Sequence, residues 1–343
     1  MLALVQLYRA LAILLVMQFH AGLLTTARYG HSPVEGWWDV GFSGVHLFFV
    51  LSGFIIFTAH YRDIGHPKAL PRYLFRRLVR IYPLYWIVFM VWGGWRLFSG
   101  QLSPPDFWSN ALWFHSNTKL VIPVSWTLGY EMVFYLIFCG LLLQRTLGFA
   151  MLGLWLVLVL MEPETNRFIS PINVLFMLGL TSGMLCKTFG RLDTEWRDII
   201  GISALGLGTL GFTGMALLYH DMQFPIEIWA QNPWSIWGFG ISSMVLLIAS
   251  ISPRLEVVAR RLPFALLIGD ASYALYLVHL QFEKIGIDGI KMARLLWEFQ
   301  RPNPIAADLI WIATTAFALV AGIWVHRWIE VPLVFHWLRR RLR

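Results

Sequence analysis

The chain has 343 residues, of which 58% are hydrophobic and only 13% are charged, and its formal net charge at pH 7 is +8. A soluble domain of this length does not need so much apolar surface, so the composition excludes a soluble globular protein and indicates a polytopic membrane protein. The positive charge lies mainly beside the apolar segments, where membrane topology explains it, so it does not indicate a nucleic-acid partner.

Ten apolar segments follow one another along the chain, without internal repeats and without a linker long enough to separate a soluble domain. Most approach the about 20 residues that cross a bilayer core of about 30 Å, although the segment 147–161 is short. The sequence therefore predicts an all-α fold with about ten transmembrane helices, in one transmembrane domain over residues 1–343. The ten segments are residues 3–24, 41–60, 81–99, 125–143, 147–161, 172–189, 199–219, 234–251, 264–282 and 305–326.

Lysine and arginine indicate which loops face the cytoplasm. The stretch 61–80 contains six basic residues against one aspartate, and the stretches 252–263 and 327–343 are also net basic. The stretches 162–171 and 220–233, which fall on the opposite side of the membrane, are net acidic. This distribution predicts that the N-terminus and the C-terminus are both cytoplasmic.

The first segment holds two polar residues at membrane depth, Arg9 and His20. Eleven helical steps of about 100° return His20 to within about 20° of Arg9 and about 16 Å farther along the axis, so the two share one face. An arginine in mid-helix costs at least about 2.5 kcal/mol in lipid and normally faces a cavity or a partner. Alternatively, Arg9 snorkels to phosphate headgroups and His20 is a helix-packing histidine. The shared face favours two ends of one polar channel, with Arg9 toward the cytoplasm.

Four arginines cluster at the inner end of the third segment: Arg72, Arg76, Arg77 and Arg80. Residues three or four apart are neighbours on a helix, so Arg80 shares a face with Arg76 and Arg77. Guanidinium groups suit a multiply charged anion, and phosphate in particular. The alternative is that these are ordinary positive-inside residues that hold lipid headgroups.

Two later segments also carry polar residues at membrane depth. Glu131 lies about two turns into the helix that is predicted to begin with Ser125 as its N-cap. A carboxylate at that depth needs a partner, and a guanidinium or imidazolium of another helix is the expected one. In the ninth segment, Tyr276 and His279 are three residues apart and share a face. Tyrosines in such positions are also typical of an interfacial belt.

Taken in their order along the chain, these stretches resemble the motifs of the acyltransferase-3 family of integral membrane acyltransferases. Members of that family add acetyl or other acyl groups to extracellular glycans and related acceptors. Each short motif is weakly specific, but their common order makes the set specific, and it covers residues 8 to about 332. The matching positions are Arg9 and His20; Ser52 within the run 41–56; Arg77 and Arg80; Ser125, Trp126 and Glu131; Tyr273, Tyr276 and His279; and Glu330.

One position departs from the family pattern. His46 stands where the family commonly has aspartate. If that aspartate pairs with a basic group of the site, the histidine removes a negative charge and changes the proton affinities around it. For a chain of 343 residues, we also expect no periplasmic hydrolase-like domain of the kind that some relatives append, and we expect the acceptor to be delivered within the membrane domain or through a partner.

The resemblance implies a membrane-embedded O-acyltransferase of the bacterial inner membrane, with no metal and no permanently bound cofactor. Its donor is expected to be cytoplasmic acyl-CoA, usually acetyl-CoA. Its acceptor is expected to be a hydroxyl of a cell-surface glycan or lipid-linked saccharide, with polysaccharide-assembly proteins as further partners. The CoA phosphates are expected at Arg77 and Arg80, with support from Arg76.

The same resemblance implies two possible roles for His20. Its imidazole either acts as general base on the acceptor hydroxyl, or attacks the thioester first and carries the acyl group transiently. Arg9 is expected to orient the donor or to stabilise negative charge on the thioester oxygen. Glu131 or Glu330 is expected to orient a basic partner.

A transporter or flippase for a lipid-linked saccharide or an acyl donor is the alternative, because intramembrane Arg, His and Glu residues also mark proton-coupled carriers. Against it, the two halves of the chain show no internal symmetry and no pair of matched broken helices. A metal-dependent enzyme is less favoured still, because the ten histidines form no His-x-x-x-His pair or comparable ligand spacing.

Overall fold

The computed structural model describes residues 2–112, 120–161, 168–222, 232–292 and 304–333, and the regular structure in these ranges is helical throughout. The predicted all-α fold is confirmed, and each predicted segment lies on one helix or, in one case, on two. The helices are α1 (Ala3–Tyr29), α2 (Ser43–His60), α3 (Leu70–Phe98), α4 (Pro104–Leu112), α5 (Trp126–Leu143), α6 (Arg145–Met161), α7 (Val174–Phe189), α8 (Thr194–Met222), α9 (Pro233–Ile248), α10 (Pro253–Ala259), α11 (Pro263–Asp270), α12 (Ser272–Met292) and α13 (Pro304–Val325).

Most of these helices are long and apolar enough to cross a bilayer. By length and composition, seven helices of the described ranges meet this condition, and an eighth is added if α11 and α12 form one bent span. The seven are α1, α2, α5, α7, α8, α9 and α13. Helix α6 is apolar but has only 17 residues, as its sequence predicted. Helix α3 has 29 residues and begins at Leu70, so the arginine cluster lies on the same helix as its apolar half.

The prediction of a single helix over residues 264–282 is wrong. The chain bends by 78° between α11 and α12, and α12 continues to Met292. Helix α11 approaches α1 so closely that a Cβ on Gly269 would lie 2.1 Å from the carbonyl oxygen of Gln6. Gln6 Nε2 also donates a hydrogen bond to Asp270 Oδ1. These contacts hold the short helix against the first turns of α1, and the chain turns directly after Asp270.

Helices α1 and α12 lie side by side and run in the same direction. Arg9 is bonded to Ser272 near the first turns of both helices. At their other ends, Arg28 Nη2 lies 3.2 Å from Asp288 Oδ1. The parallel arrangement places the polar face of α1 against one face of α12 along most of the length of α1. This contact positions the polar residues of the two helices that are described in the next subsection.

Helices α2 and α7 pack in backbone contact. Helix α7 carries a Gly-x-x-x-Gly motif at Gly179 and Gly183. A Cβ on Gly179 would lie 1.9 Å from the carbonyl oxygen of Val50, and a Cβ on Gly53 would lie 2.1 Å from that of Phe176. Small residues permit such close approach of helices within a membrane. These contacts fix the position of α2, which contributes one wall of the cavity described below.

Replacing Gly179 with alanine is expected to lower the free energy of unfolding by about 1–3 kcal/mol, because the added methyl group must push the backbone of α2 away. Thermal unfolding of the purified protein in detergent measures this effect. Gly153→Ala in α6 is the matched control, since nothing lies within 4 Å of its added Cβ. Equal unfolding midpoints for the two variants would contradict the tight contact.

Candidate active site

A cavity of about 330 Å³ lies between α1, α2, α3, α5 and α12. Three arginines and one glutamate line it together with several hydroxyl groups, and the remaining walls are apolar. Such a pocket, with a few convergent polar groups, is typical of a ligand site. The excess of positive side chains favours an anionic ligand. The polar lining residues are Arg9, Ser52, Arg77, Arg80, Thr127, Glu131, Tyr135, Ser272, Tyr273 and Tyr276.

Arg9 faces this cavity and not the lipid headgroups, which excludes the snorkelling alternative. The residue is 8% exposed. Its Nη1 donates to Gln6 Oε1 at 2.8 Å and its Nη2 donates to Ser272 Oγ at 2.7 Å. Gln6 is bonded in turn to Asp270, so a chain of polar groups orients the guanidinium. Gln6 and Ser272 were not predicted, although the spacing of three residues between Gln6 and Arg9 places both on one helical face.

Glu131 is bonded by hydroxyl groups. It accepts a hydrogen bond from Ser52 Oγ at 3.1 Å and another from the hydroxyl of Tyr135, one turn along α5. Both hydroxyl groups donate to Oε1, so the hydrogen bonds seen at this carboxylate come from hydroxyl groups and not from the expected guanidinium or imidazolium. The guanidinium of Arg77 instead lies 5.8 Å from the centroid of the Tyr135 ring. Glu131 thus joins α2 to α5 at the cavity wall.

The structure divides the four clustered arginines into two pairs. Arg77 and Arg80 line the cavity, whereas Arg72 and Arg76 lie outside its lining. The Arg77 guanidinium lies 5.9 Å from the centroid of the Tyr73 ring. Its Nε is buried and has no hydrogen-bond partner among the described residues. An aromatic face stabilises a cation without using its N–H groups. The N–H group at Arg77 Nε can therefore still donate a hydrogen bond to an anion.

Glu330 reaches Arg80 from the end of the last helix. Residues 326–330 form a π-helical turn that continues α13, and in this turn His326 Nδ1 lies 2.6 Å from Glu330 Oε2. The second oxygen, Oε1, lies 3.8 Å from Nη1 of Arg80, whose guanidinium is 5.7 Å from the ring centroid of Tyr273. Single π-helical turns frequently occur at functional sites. Glu330 is thus paired with a basic group of the cavity, while His326, four residues earlier, was not predicted.

His20 and His279 form a pair between α1 and α12. His279 Nε2 lies 3.2 Å from His20 Nδ1, and His279 Nδ1 lies 3.0 Å from the carbonyl oxygen of Leu275. A carbonyl only accepts, so in the neutral His279 ring Nδ1 carries the proton and Nε2 accepts. His20 Nδ1, which is also 3.0 Å from the carbonyl oxygen of Val16, is then the donor. These bonds assign the lone pair of the neutral His20 ring to Nε2.

Tyr276 links the cavity to the histidine pair. It lines the cavity, and its ring centroid lies 6.0 Å from that of His279. Its hydroxyl is 2.8 Å from Thr127 Oγ1 and 3.1 Å from the carbonyl oxygen of Val124. The lining includes neither His20 nor His279. Arg9 and His20 therefore share the face of α1 that packs on α12, as predicted. The predicted open channel between them is not present in the described part of the chain, because the anchored Tyr276 side chain lies between the cavity and the histidine pair.

His46, the position that departs from the family pattern, lies outside the cavity lining. It is fully buried, and its ring centroid lies 5.5 Å from that of Phe42 and 5.9 Å from that of Phe239. Its Nε2 is 3.5 Å from Ser235 Oγ of α9. The substitution thus affects the packing of α2 on α9, at some remove from the arginines of the cavity.

Ser125 and Trp126 begin α5, as predicted, but their side chains have other roles than expected. Ser125 occupies the N-cap position without a side-chain capping bond. Its Oγ donates instead to the carbonyl oxygen of Ile122 at 2.8 Å, because this residue already belongs to a short 3₁₀ turn. The ring of Trp126 packs edge-on against Phe49, with 6.4 Å between the ring centroids. Because Phe49 lines the cavity, Trp126 supports that wall from behind.

Comparisons with known proteins point to one reaction class. A family model described as an acyltransferase domain matches residues 4–328. The chain is also similar to the exopolysaccharide production protein ExoZ of Rhizobium meliloti (strain 1021), with 29% identity over 279 residues that cover 77% of this chain and 80% of that protein. No solved structure matches the chain significantly. The matched region contains every residue that lines the cavity and both members of the histidine pair.

Proposed function

This chain belongs to the acyltransferase-3 family of membrane acyltransferases, and we propose that it moves an acyl group from cytoplasmic acyl-CoA to a hydroxyl group of a saccharide on the outer side of the membrane. We propose acetyl as the acyl group. An exopolysaccharide or its lipid-linked precursor is the proposed acceptor, because the similar protein ExoZ is described as an exopolysaccharide production protein. Polysaccharide-assembly proteins are the proposed partners, and the bacterial inner membrane is the proposed location.

The arginine-lined cavity next to the histidine pair is the observation that carries this proposal. Arg77 and Arg80 lie on the half of α3 that the positive-inside rule assigns to the cytoplasm, and guanidinium groups bind phosphate oxygens with charge-assisted hydrogen bonds. The phosphates of acyl-CoA would bind there, and its flexible pantetheine arm would extend through the cavity past Arg9. The Tyr276 side chain, whose ring lies beside that of His279, would have to move aside so that the thioester reaches His20.

His20 is the proposed general base. Its Nε2 takes the proton of the acceptor hydroxyl while the hydroxyl oxygen attacks the thioester carbonyl carbon. The new C–O bond forms, the C–S bond breaks, and the leaving CoA sulfur takes the proton back from His20. Arg9 would orient the donor, because it lies about 16 Å from His20 along α1, too far to touch a carbonyl group that reacts beside His20. The hydrogen bond between His279 Nε2 and His20 Nδ1 supports this assignment, because it keeps the His20 lone pair on Nε2.

The experiment compares extracellular polysaccharide from cells with and without the gene by mass spectrometry. We expect acyl ester groups to disappear in the deletion strain and to return when the gene is restored. Purified protein supplied with isotope-labelled acetyl-CoA and the polysaccharide of the deletion strain is then expected to form labelled ester. A transporter or flippase would leave this acceptor unlabelled, and that result would contradict the proposal.

A further inference from the structure

The polar residues of α12 form a stripe that continues beyond the histidine pair. Ser272, Tyr276, His279 and Glu283 are separated by four, three and four residues, a spacing that keeps side chains on one helical face. The first two line the cavity, and the third contacts His20. With a rise of about 1.5 Å per residue, Glu283 lies about 6 Å beyond His279 along the helix, on the side away from the cavity.

Glu283 is buried, and its carboxyl group has no partner among the described residues. The residue is 0% exposed, and neither Oε1 nor Oε2 accepts a hydrogen bond in the part of the chain that the structure describes. Two other glutamates of the bundle differ in this respect, because Glu131 is bonded to two hydroxyl groups and Glu330 is bonded to His326. A buried carboxyl group inside a membrane is costly unless something binds it, and such residues commonly serve function.

A second polar group without a partner among the described residues lies on α13, near the same stretch of α12. Thr314 is 1% exposed, and its Oγ1 has no hydrogen-bond partner in the described ranges. A Cβ on Gly286 would lie 3.5 Å from Thr314 Cγ2, and Gly286 lies three residues after Glu283, on the same helical face. Thr314 thus packs beside Gly286 where α12 meets α13, one helical turn from Glu283.

We propose that Glu283 and Thr314 bind the hydroxyl groups of the saccharide acceptor. This inference rests on the proposed function, in which the acceptor approaches His20 from the side opposite to the arginine-lined cavity. A carboxylate accepts hydrogen bonds from sugar hydroxyls, and a threonine hydroxyl both donates and accepts them. Glu283 would hold a non-reacting hydroxyl of the sugar, while His20 takes the proton of the reacting one.

A bound cation fits these residues less well than a saccharide. Cations are held in proteins by several oxygen, nitrogen or sulfur ligands. In the described ranges no three His, Cys, Asp or Glu side chains form a ligand group. The hydroxyl groups of a saccharide, by contrast, need only ordinary hydrogen bonds, which one carboxyl group and one threonine hydroxyl can form.

The test measures acyl transfer by Glu283→Leu, Glu283→Gln and Thr314→Val proteins in nanodiscs, with labelled acetyl-CoA as donor and oligosaccharide from the deletion strain's polysaccharide as acceptor. We expect the KM for the acceptor to rise about tenfold or more in Glu283→Leu and less in the other two, with an unchanged dissociation constant for acetyl-CoA. Thr315→Val is the matched control, because Thr315 Oγ1 already donates to the carbonyl oxygen of Trp311 at 2.8 Å.

The outcomes separate this inference from the function on which it rests. Transfer by the wild type, with an unchanged acceptor KM in both Glu283 variants, would overturn the acceptor role alone. No transfer by the wild type would contradict the proposed function, and this inference with it. If Glu283→Leu does not fold, the nearly isosteric Glu283→Gln and Thr314→Val variants test the acceptor role in its place. A wild-type KM for the acceptor in both variants would overturn the assignment of Glu283 and Thr314 as acceptor-binding residues.

Discussion

Replacing His20 with alanine is expected to lower the rate of acyl transfer by about a hundred- to ten-thousand-fold. In the proposed mechanism, the variant loses the group that takes the proton of the acceptor hydroxyl and returns it to the leaving sulfur. Affinity for acetyl-CoA is expected to stay close to the wild-type value, because His20 does not line the cavity that would bind the donor. Single-turnover rates with labelled acetyl-CoA measure the first quantity, and equilibrium binding measures the second.

The exposed His66 supplies the matched control, since it lies in the loop between α2 and α3 and outside the cavity lining. His66→Ala is expected to transfer at the wild-type rate. A His20→Ala protein that is monodisperse in detergent and transfers at a rate near wild type would remove His20 from the mechanism. Acylated His20, recovered after incubation with donor alone, would replace direct transfer with a two-step route through the same nitrogen.

Replacing Arg77 and Arg80 together with alanine is expected to raise the dissociation constant for acetyl-CoA by about a hundredfold or more, because each guanidinium contributes about 1.5–3 kcal/mol when it binds a charged group. The remaining affinity is also expected to depend less on ionic strength, because two of the charges that attract the phosphates are gone. Calorimetric titration with acetyl-CoA at two or more salt concentrations measures both effects.

Arg72→Ala is the control for that double variant, because Arg72 is exposed on the same helix and lies outside the cavity lining. A variant with lysine at both Arg77 and Arg80 is expected to fall between alanine and wild type, since lysine keeps the charge but not the planar fork of donors. Unchanged donor affinity in the double alanine protein would mean that the two arginines serve only membrane topology. The supporting role of Arg76 remains a prediction that the same titration can examine.

The sequence predicted those features of the fold that depend on neighbours along the chain. Segments of apolar residues mark helices because each must satisfy its own backbone in lipid. The common face of Arg9 and His20 follows from helical periodicity alone, and both residues do contact α12. Periodicity also places Tyr276 and His279 on one face of that helix, where their rings lie 6.0 Å apart.

Features that depend on contacts between distant segments were not predictable in the same way. The bend between α11 and α12 arises where Gly269 and Asp270 meet Gln6, which is more than 260 positions away in the chain. The partners of Glu131 were predicted as cations, but hydroxyl groups of Ser52 and Tyr135 reached the carboxylate instead. Single-sequence patterns report which residue needs a partner, and only the packing of helices determines which residue supplies it.

The backbone contact between α2 and α7 has a consequence for motion in this molecule. Where a carbonyl oxygen already occupies the space beside a glycine, neither helix can rotate or slide without steric overlap. The two helices therefore keep a fixed position relative to each other. The cavity wall that α2 contributes is accordingly a rigid one. If the proposed nucleotide thioester needs a larger compartment than the one described, the space has to come from the other walls, which α1, α3, α5 and α12 supply.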